Sequence, residues 1–470
     1  MADVSRQTAG PDNRPALKEI FHTSIPERIS YGAYFVGQNI FYLFVMQFLM
    51  LFYTDYRFIA PAAVGIIFLV ARVWDAVNDP MFGVIVDKSH LKSGKFKPWI
   101  AISTFFIPIA TIAIFALPEG FSPTAKIGYA AATYILFGML YTICDVPIFA
   151  LATAMTNNIQ ERTTLIAIGR VAATIAMVVL SIMVMPLVMA RGWLTAAIIL
   201  AIIAFLVMLP INIFAKERFV DKNAPAVTLR DIVNYLFHNK YLLIFYLSNI
   251  IYNLTNTSMT TGNYVAKYFL GGEHMIPVQM LVFIVPMLIV SIFLPALSKK
   301  VDKFHLFVTG LIINIVFSVF GYFAGYRNLT VYFTLGALRG IGGGFSMVMG
   351  FMFAADCVEY GNYKTGKRAE GITFSIQTFA TKMMGAVSGA LGGIALTLVG
   401  YDGSLSAPLP EHTARGLWNI SLLFPVIGMV LCLPVLFRYK LRDKDVQIMA
   451  KCNQNQISRE EAERLLSRKY

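Results

Sequence analysis

Charged side chains are scarce in this sequence. Asp, Glu, Lys and Arg make up 14% of its 470 residues, 57% are hydrophobic, and the mean hydropathy is +0.65. Water-soluble domains have about 25% charged residues, so the composition excludes an ordinary soluble protein. It predicts a chain that uses the lipid bilayer as part of its solvent.

Cysteine is also rare, and the four cysteines form no CxxC pair and have no metal-ligand spacing. They are Cys144, Cys357, Cys432 and Cys452. We interpret them as structural thiols, because nothing in their spacing indicates a metal site. The net charge of +13 is spread over alternate loops, so it indicates membrane topology and argues against a nucleic-acid partner.

Apolar stretches fill most of the sequence, each near the roughly 20 residues that a membrane crossing needs. The twelve stretches lie at 31-53, 62-86, 98-117, 127-150, 164-189, 193-215, 241-264, 276-297, 305-325, 329-354, 373-399 and 416-437. We therefore predict an all-α membrane protein with twelve transmembrane helices in two six-helix bundles. The predicted parts are an N-terminal segment 1-30, a first bundle 31-215, a linker 216-240, a second bundle 241-437 and a tail 438-470.

The loops richest in Lys and Arg lie on one side of the predicted bundle. They follow spans 2, 6, 8 and 10, whereas the opposite loops carry one basic residue each. By the positive-inside rule both termini face the cytoplasm, so we expect a multi-pass protein of a bacterial inner membrane. Similar turns follow span 2, at Asp87-Lys88, and span 8, at Asp302-Lys303, which favours the parallel repeats of a major facilitator fold.

Ionisable side chains within the spans are few. Each costs roughly 2.5 to 3.5 kcal/mol near the bilayer centre on insertion scales, so each needs a partner or a function. Span 2 contains Arg72, Asp75, Asn78 and Asp79. Their spacing places them on one helical face, so we predict a polar stripe along an otherwise apolar helix.

Span 4 adds Tyr141, Thr142 and Asp145 at a comparable depth. Two carboxylates, an amide oxygen and a hydroxyl suit a cage for Na⁺, and a carboxylate with a raised pKa suits transport of H⁺. Both arrangements are typical of a cation-coupled carrier. The alternative is an ion pair between Arg72 and a span 2 carboxylate that only holds helices together.

Further basic residues lie in later spans, Arg170 in span 5 and Lys382 in span 11. A guanidinium and a carboxylate that face a shared cavity suit sugar hydroxyls, which both donate and accept hydrogen bonds. The alternative is a helix-to-helix ion pair between Arg170 and Asp145. Arg339 in span 10 has no partner that the sequence assigns.

Five short segments form a recognisable combination. They are Ser30-Tyr31-Gly32, Phe52-Tyr53-Thr54-Asp55, Trp74-Asp75 with Asn78-Asp79-Pro80, Gly94 to Trp99, and Asp356 to Glu370. Together they resemble the glycoside-pentoside-hexuronide:cation symporter family, and the resemblance covers nearly the whole chain. It implies the major facilitator fold and sugar uptake coupled to Na⁺, Li⁺ or H⁺.

The resemblance also implies two sites. Its cation site, where Na⁺ is one candidate ion, corresponds to Asp75, Asn78, Asp79 and Thr142. Its sugar site corresponds to Asp145, Arg170, Gln377, Thr378 and Lys382, with Gln38, Asn39, Tyr141 and Phe149 as further candidates for substrate binding.

Two places depart from the family's best-known member, melibiose permease. Gln38-Asn39 replaces its Lys-Asp pair, and Phe149 replaces its sugar-stacking tryptophan. Asn39 brings no negative charge, so the site is less acidic around the sugar and tolerates an anionic sugar better. Neutral glycosides or pentosides and hexuronides both stay open as substrates.

Two other functions fit parts of the sequence. An uncoupled sugar facilitator or exporter would have the same fold, and Asp75 with Asn78-Asp79 resembles the Asp-rich motifs of membrane prenyltransferases. Such enzymes need two acidic clusters, yet the clearest other pair, Asp356 and Glu359, lies at the far end of span 10 beside a basic loop. We therefore expect a monomeric transporter and not an enzyme, with a sugar, a coupling cation and the bilayer as its partners and no other cofactor.

Overall fold

The computed structural model describes residues 22–89, 94–219, 235–237, 239–366, 370–405 and 408–470, which form a helical bundle. The first half contains α1 (Ile25–Leu51), α2 (Pro61–Lys88), α3 (Lys97–Phe115), α4 (Pro123–Met155), α5 (Ile159–Arg191) and α6 (Trp193–Phe214). The second half contains α7 (Lys240–Leu254), α8 (Ser258–Phe269), α9 (Ile276–Leu297), α10 (Lys303–Ala324), α11 (Leu329–Thr365), α12 (Glu370–Leu398) and α13 (Glu411–Leu436). The tail contains two short helices, α14 (Asp443–Asn453) and α15 (Arg459–Leu465).

Each predicted span corresponds to one helix or, in one case, to a pair of helices. Among the described residues, ten helices are long and apolar enough to cross a bilayer. The apolar part of α12 is a shorter stretch, Met383–Leu398, and α7 and α8 divide the seventh span. With α7 and α8 taken as one crossing, the all-α architecture of twelve crossings is confirmed. Most of the predicted linker 216-240 lies outside the described residues, so the domain boundaries stay a prediction.

The seventh span is not the continuous helix 241-264 that its apolar pattern predicts. α7 ends at Leu254 and α8 begins at Ser258. The backbone carbonyl of Asn256, between the two helices, accepts a hydrogen bond from the hydroxyl of Ser388 on α12. A break inside a membrane span persists only where neighbouring helices bind its freed backbone groups, and Ser388 provides such a contact.

The two halves meet where α1 contacts α8, α2 contacts α12, and α5 contacts α9. Glycine permits the close approach of α2 and α12. A Cβ on Gly65 would lie 2.7 Å from the carbonyl oxygen of Ala390, and Gly393 lies equally tightly against Pro61. Backbone therefore meets backbone near the start of α2, which lies at the end of the bundle opposite the start of α1 and the end of α13. We refer to that end as the outer end.

A cluster of polar side chains also joins the halves at the outer end. The buried Asp55 carboxylate lies 2.5 Å from Nζ of Lys267 and 2.9 Å from the hydroxyl of Tyr401, which donates to it. The hydroxyls of Thr54 and Tyr264 are 2.8 Å apart. We call these five residues the outer cluster. They hold the outer end closed in this conformation.

Candidate cation and sugar site

The polar stripe of α2 faces α4, as its helical spacing predicts. Gly138 on α4 makes room for this contact, because a Cβ there would lie 2.8 Å from Asp75 Oδ1. One turn further along α4, Thr142 Oγ1 donates to Asp79 Oδ1 at 2.6 Å and accepts from Asn78 Nδ2 at 3.1 Å. The structure thus brings the four residues of the predicted cation site together between two helices.

Arg72 neutralises one carboxylate of this group. Its Nη1 lies 2.8 Å from Asp75 Oδ2, and the two side chains are 9% and 10% exposed. Its Nη2 donates to the hydroxyl of Tyr134 on α4 at 3.2 Å. The ion pair that the sequence offered as an alternative is therefore present, but it lies within one helix, and Tyr134 makes the contact to the neighbouring helix.

A small cavity lies beside these residues. It is lined by Tyr42 of α1, by Ala71, Arg72 and Asp75 of α2, and by Tyr134, Phe137, Gly138, Tyr141 and Thr142 of α4. The sequence analysis missed Tyr42, whose ring stacks on that of Tyr141 with centres 5.1 Å apart. Its position four residues after Gln38, on the same helical face, is the signal that would have identified it.

The predicted sugar residues of α1 and α4 form a second polar contact next to the first. Gln38 is buried, and its Nε2 donates to Asp145 Oδ1 at 2.6 Å and to the hydroxyl of Tyr141 at 3.3 Å. Asn39 Nδ2 instead donates to the backbone oxygen of Phe35 on its own helix at 2.8 Å. Gln38, and not Asn39, therefore contacts the carboxylate of α4.

Arg170 and Phe149 form the next layer of this surface. The guanidinium carbon of Arg170 lies 5.5 Å from the centre of the Phe149 ring. That ring packs edge-on against Phe35 with centres 5.3 Å apart, and Gly169 allows Phe35 to approach α5. An aromatic ring beside a guanidinium suits the apolar face and the hydroxyls of a sugar ring.

The second half contributes fewer described site residues. Gln377, Thr378 and Lys382 lie on α12, but their side chains are outside the described residues, so their roles stay predictions. Arg339 lies on α11, where its Nε is buried without a hydrogen-bond partner. The phenol groups of Tyr252 and Tyr332 lie within electrostatic range of this guanidinium.

These features define a class of protein. Two helical halves that close at one end, around buried polar residues on α1, α2 and α4, are the architecture of a major facilitator transporter. The model of the MFS/sugar transport protein family matches residues 30–443, so the chain belongs to this family. It is a multi-pass membrane transporter and not an enzyme, which excludes the prenyltransferase alternative.

Several bacterial transporters are similar to this chain over nearly its whole length. The isoprimeverose transporter of Lactiplantibacillus pentosus is 30% identical, covering 95% of each chain. The putative sulfoquinovose importer of Salmonella typhimurium is 27% identical, covering 90% of this chain and 91% of that protein. The solved structure of a bacterial homologue of the human lysosomal transporter Spinster aligns with a TM-score of 0.67, 11% identity, and coverage of 88% of this chain and 95% of that chain. This last similarity shows the fold alone.

Proposed function

We propose that this transporter carries a sugar or glycoside together with a cation, Na⁺ or H⁺, by alternating access. The observation that supports the proposal most directly is the group formed by Asn78, Thr142 and Asp79 beside the Arg72–Asp75 ion pair. Two carboxylates and one guanidinium carry a net charge of about −1, which is costly inside a membrane. A monovalent cation that binds here would neutralise that charge.

Na⁺ and H⁺ would use the same residues in different ways. Na⁺ binds oxygen ligands, which Asp75, Asp79 and Thr142 supply. H⁺ would instead add to one carboxylate, since burial disfavours the charged form. In either case the net negative charge of this site is neutralised when the cation binds.

Helix α4 offers a physical route for coupling cation and sugar. Thr142 contacts the cation residues, and Asp145, three residues further on, accepts the hydrogen bond from Gln38 of α1. Residues three apart lie on one helical face, so a shift of α4 that improves one site also moves the other. Binding of each ligand would then raise the affinity for the other by the same factor.

The relatives support the sugar part of the proposal. One is named as a transporter of isoprimeverose and another as a putative importer of sulfoquinovose. Both are bacterial proteins, which supports a location in a bacterial cell membrane with the outer end facing away from the cytoplasm. A sugar could enter from that side only after the outer cluster separates, as alternating access requires.

The test is accumulation of labelled sugars by cells that express the protein. A panel of neutral glycosides, pentosides, uronides and sugar sulfonates is compared with and without Na⁺ and at several pH values. We expect accumulation above the external concentration that depends on one of these cations, and we expect Asp75→Cys and Asp79→Cys each to abolish it. Asp402→Cys, at an exposed loop carboxylate, is the matched control.

Two outcomes would contradict the proposal. Unchanged accumulation in both variants of α2 would refute the assigned coupling site. Uptake by the unmodified protein that reaches, but never exceeds, the external concentration would identify an uncoupled facilitator of the same fold, and efflux alone would identify an exporter.

A further inference from the structure

The crossing helices of the second half have no acidic side chain in their apolar interior. Their Asp and Glu residues lie in loops, at helix starts, or at the inner end of α11, where Asp356 is 2.5 Å from Nζ of Lys303. Arg339 and Lys382 are the basic residues within the apolar parts of these helices. The first half, by contrast, has three carboxylates and two guanidiniums in the corresponding region.

The packing of α11 places glycine residues that follow Arg339 against two neighbouring helices. Gly340 lies against the backbone of α9, and Gly342 lies against the backbone of α10. Two sides of the helix are therefore occupied, and Tyr252 of α7 and Tyr332 of α11 itself lie within electrostatic range of Arg339.

Arg339 is a half-buried cation for which the described part of the chain supplies no anion. Among the residues that the structure describes, none forms an ion pair or a hydrogen bond with it, and its Nε is shielded from solvent. It lies ten residues from the start of α11 at Leu329, roughly 15 Å into the bundle at the rise of an α-helix. Arginine cannot lose its proton in a protein, so its charge at this depth needs an anion from elsewhere.

We propose that Arg339, with the hydroxyls of Tyr252 and Tyr332, binds the carboxylate or sulfonate group of an acidic sugar substrate. This proposal rests on the proposed function, because it adds an anion-binding part to the same transport pathway. A guanidinium donates two parallel N–H bonds to such a group, and phenols donate further ones. Sugar hydroxyls would then bind near Gln38 and Asp145 in the first half, and the acidic group would bind in the second half.

The charge within the crossing helices also favours an anionic substrate. Four basic and three acidic side chains lie in their apolar parts, so the net charge there is +1. A bound coupling cation raises this net charge from +1 to +2, and the further binding of a neutral sugar does not change it. A monoanionic sugar returns it to its starting value, so the loaded transporter moves with no more buried charge than the empty one.

The experiment compares sugars that differ only in the group at C6, which is neutral in the first and negatively charged in the other two. Glucose, glucuronate and 6-deoxy-6-sulfoglucose are tested as substrates and as competitors for uptake by the full-length protein. We expect Arg339→Gln to raise the KM for the acidic sugars roughly tenfold to hundredfold, as loss of a hydrogen bond to a charged group does. The KM for any transported neutral sugar should stay the same, and Arg339→Lys should retain part of the preference for acidic sugars.

Arg327→Gln, at an exposed loop arginine, is the matched control for loss of a positive charge. Monodisperse elution and cation-dependent binding of a neutral sugar by Arg339→Gln would show that this variant folds. If acidic sugars are neither transported nor inhibitory while a neutral sugar accumulates in an Asp79-dependent way, this inference fails and the proposed function stands. If no sugar accumulates with a cation gradient, the proposed function itself fails.

An inorganic anion such as chloride is the other ligand that would neutralise Arg339. The test therefore repeats neutral-sugar uptake with chloride replaced by glutamate, which is not a sugar acid, outside and inside proteoliposomes. If the unmodified protein needs chloride for neutral-sugar uptake and Arg339→Gln no longer does, Arg339 binds chloride, and the acidic-sugar proposal is overturned. Uptake that is independent of chloride, together with the charge-selective change in KM, supports it.

Discussion

The two halves of the bundle have related helical layouts, yet they treat buried charge differently. In the first half, carboxylates contact polar side chains of the same chain, as Asp75 does with Arg72 and Asp145 with Gln38. In the second half, Arg339 has no comparable partner among the described residues. The first half thus has a preformed polar network, whereas the second half has a guanidinium without a hydrogen-bond partner in the described part of the chain.

This difference is accompanied by a difference in packing. α11 approaches its neighbours through glycine, with Gly340 and Gly344 against the backbone of α9 and Gly342 against that of α10. Small residues at such interfaces allow helices to pack closely and to slide. Under the proposed function, the first half would recognise the cation and the sugar hydroxyls, and the glycine-packed second half would bind the remaining group of the substrate.

The largest expected effect comes from removing the charged side chains of the proposed sugar site in the first half. We expect Asp145→Asn and Arg170→Ala each to weaken sugar binding by roughly a hundredfold or more, because each removes a charged partner from a polar site. Cation binding should survive, since Thr142 still donates to Asp79. Isothermal titration with the sugar found in the uptake panel, and thermal stabilisation by the cation, measure the two effects separately.

Exposed Asp402→Asn and Arg327→Ala are the controls for this first prediction. Sugar affinity that stays intact in both site variants would place the sugar site elsewhere. Simultaneous loss of cation binding would show that the two contacts on α4 form a single site.

The second-largest expected effect comes from breaking the ion pair of the outer cluster, which joins the two halves. Lys267→Met leaves the buried Asp55 carboxylate without its ion-pair partner, which costs about 3 to 5 kcal/mol in comparable buried pairs. We expect the outer end to open more often, so the backbone amides of α8 (Ser258–Phe269) should exchange with deuterium faster than in the unmodified protein. Hydrogen–deuterium exchange with mass spectrometry measures this change.

A double variant provides the control for the junction. Asp55→Asn added to Lys267→Met removes the uncompensated charge, so it should restore part of the protection of α8. Exchange in Lys267→Met that equals that of the unmodified protein would show that the outer cluster does not hold the halves together.

The sequence predicts much of the first-half site because its residues are close in sequence. The spacing of Asp75, Asn78 and Asp79 places them on one face of α2, and that face contacts Thr142 as expected. The same spacing also predicts the pairing of Arg72 with Asp75, three residues apart. Helical periodicity is a strong signal in long apolar helices, so the shared face of α2 and the pairing of Arg72 with Asp75 follow from local pattern. The contact with Thr142 was expected only from the comparable depth of the two spans.

Contacts between distant segments could not be predicted in this way. Lys267 and Tyr401 of the outer cluster are 212 and 346 residues from Asp55, and no local pattern links them. The break between Leu254 and Ser258 was also missed, because the apolar pattern continues through it and its stabilising contact comes from another helix. Both features depend on how the halves assemble, which periodicity does not report.

The smallest predicted effect tests whether Asp75 belongs to the cation site. Gly138→Ala would bring a Cβ within 2.8 Å of Asp75 Oδ1, whereas a Cβ at Gly128 on the same helix would have no neighbour within 4 Å. Overpacking of this kind costs about 1 to 3 kcal/mol, so we expect cation affinity to fall roughly tenfold in Gly138→Ala and to stay the same in Gly128→Ala. The cation concentration that gives half-maximal sugar uptake measures this change.

A glycine in the second half provides a further control for Gly138→Ala. A Cβ at Gly336 on α11 would lie 3.5 Å from Val282, an ordinary contact, so Gly336→Ala should leave cation affinity unchanged. If Gly138→Ala behaved like Gly336→Ala and Gly128→Ala, the Asp75 carboxylate would not bind the cation, and Asp79 with Thr142 would have to form the site alone. Reduced cation affinity in Gly138→Ala only, at unchanged maximal sugar uptake, would assign the coupling chemistry to the contact between α2 and α4.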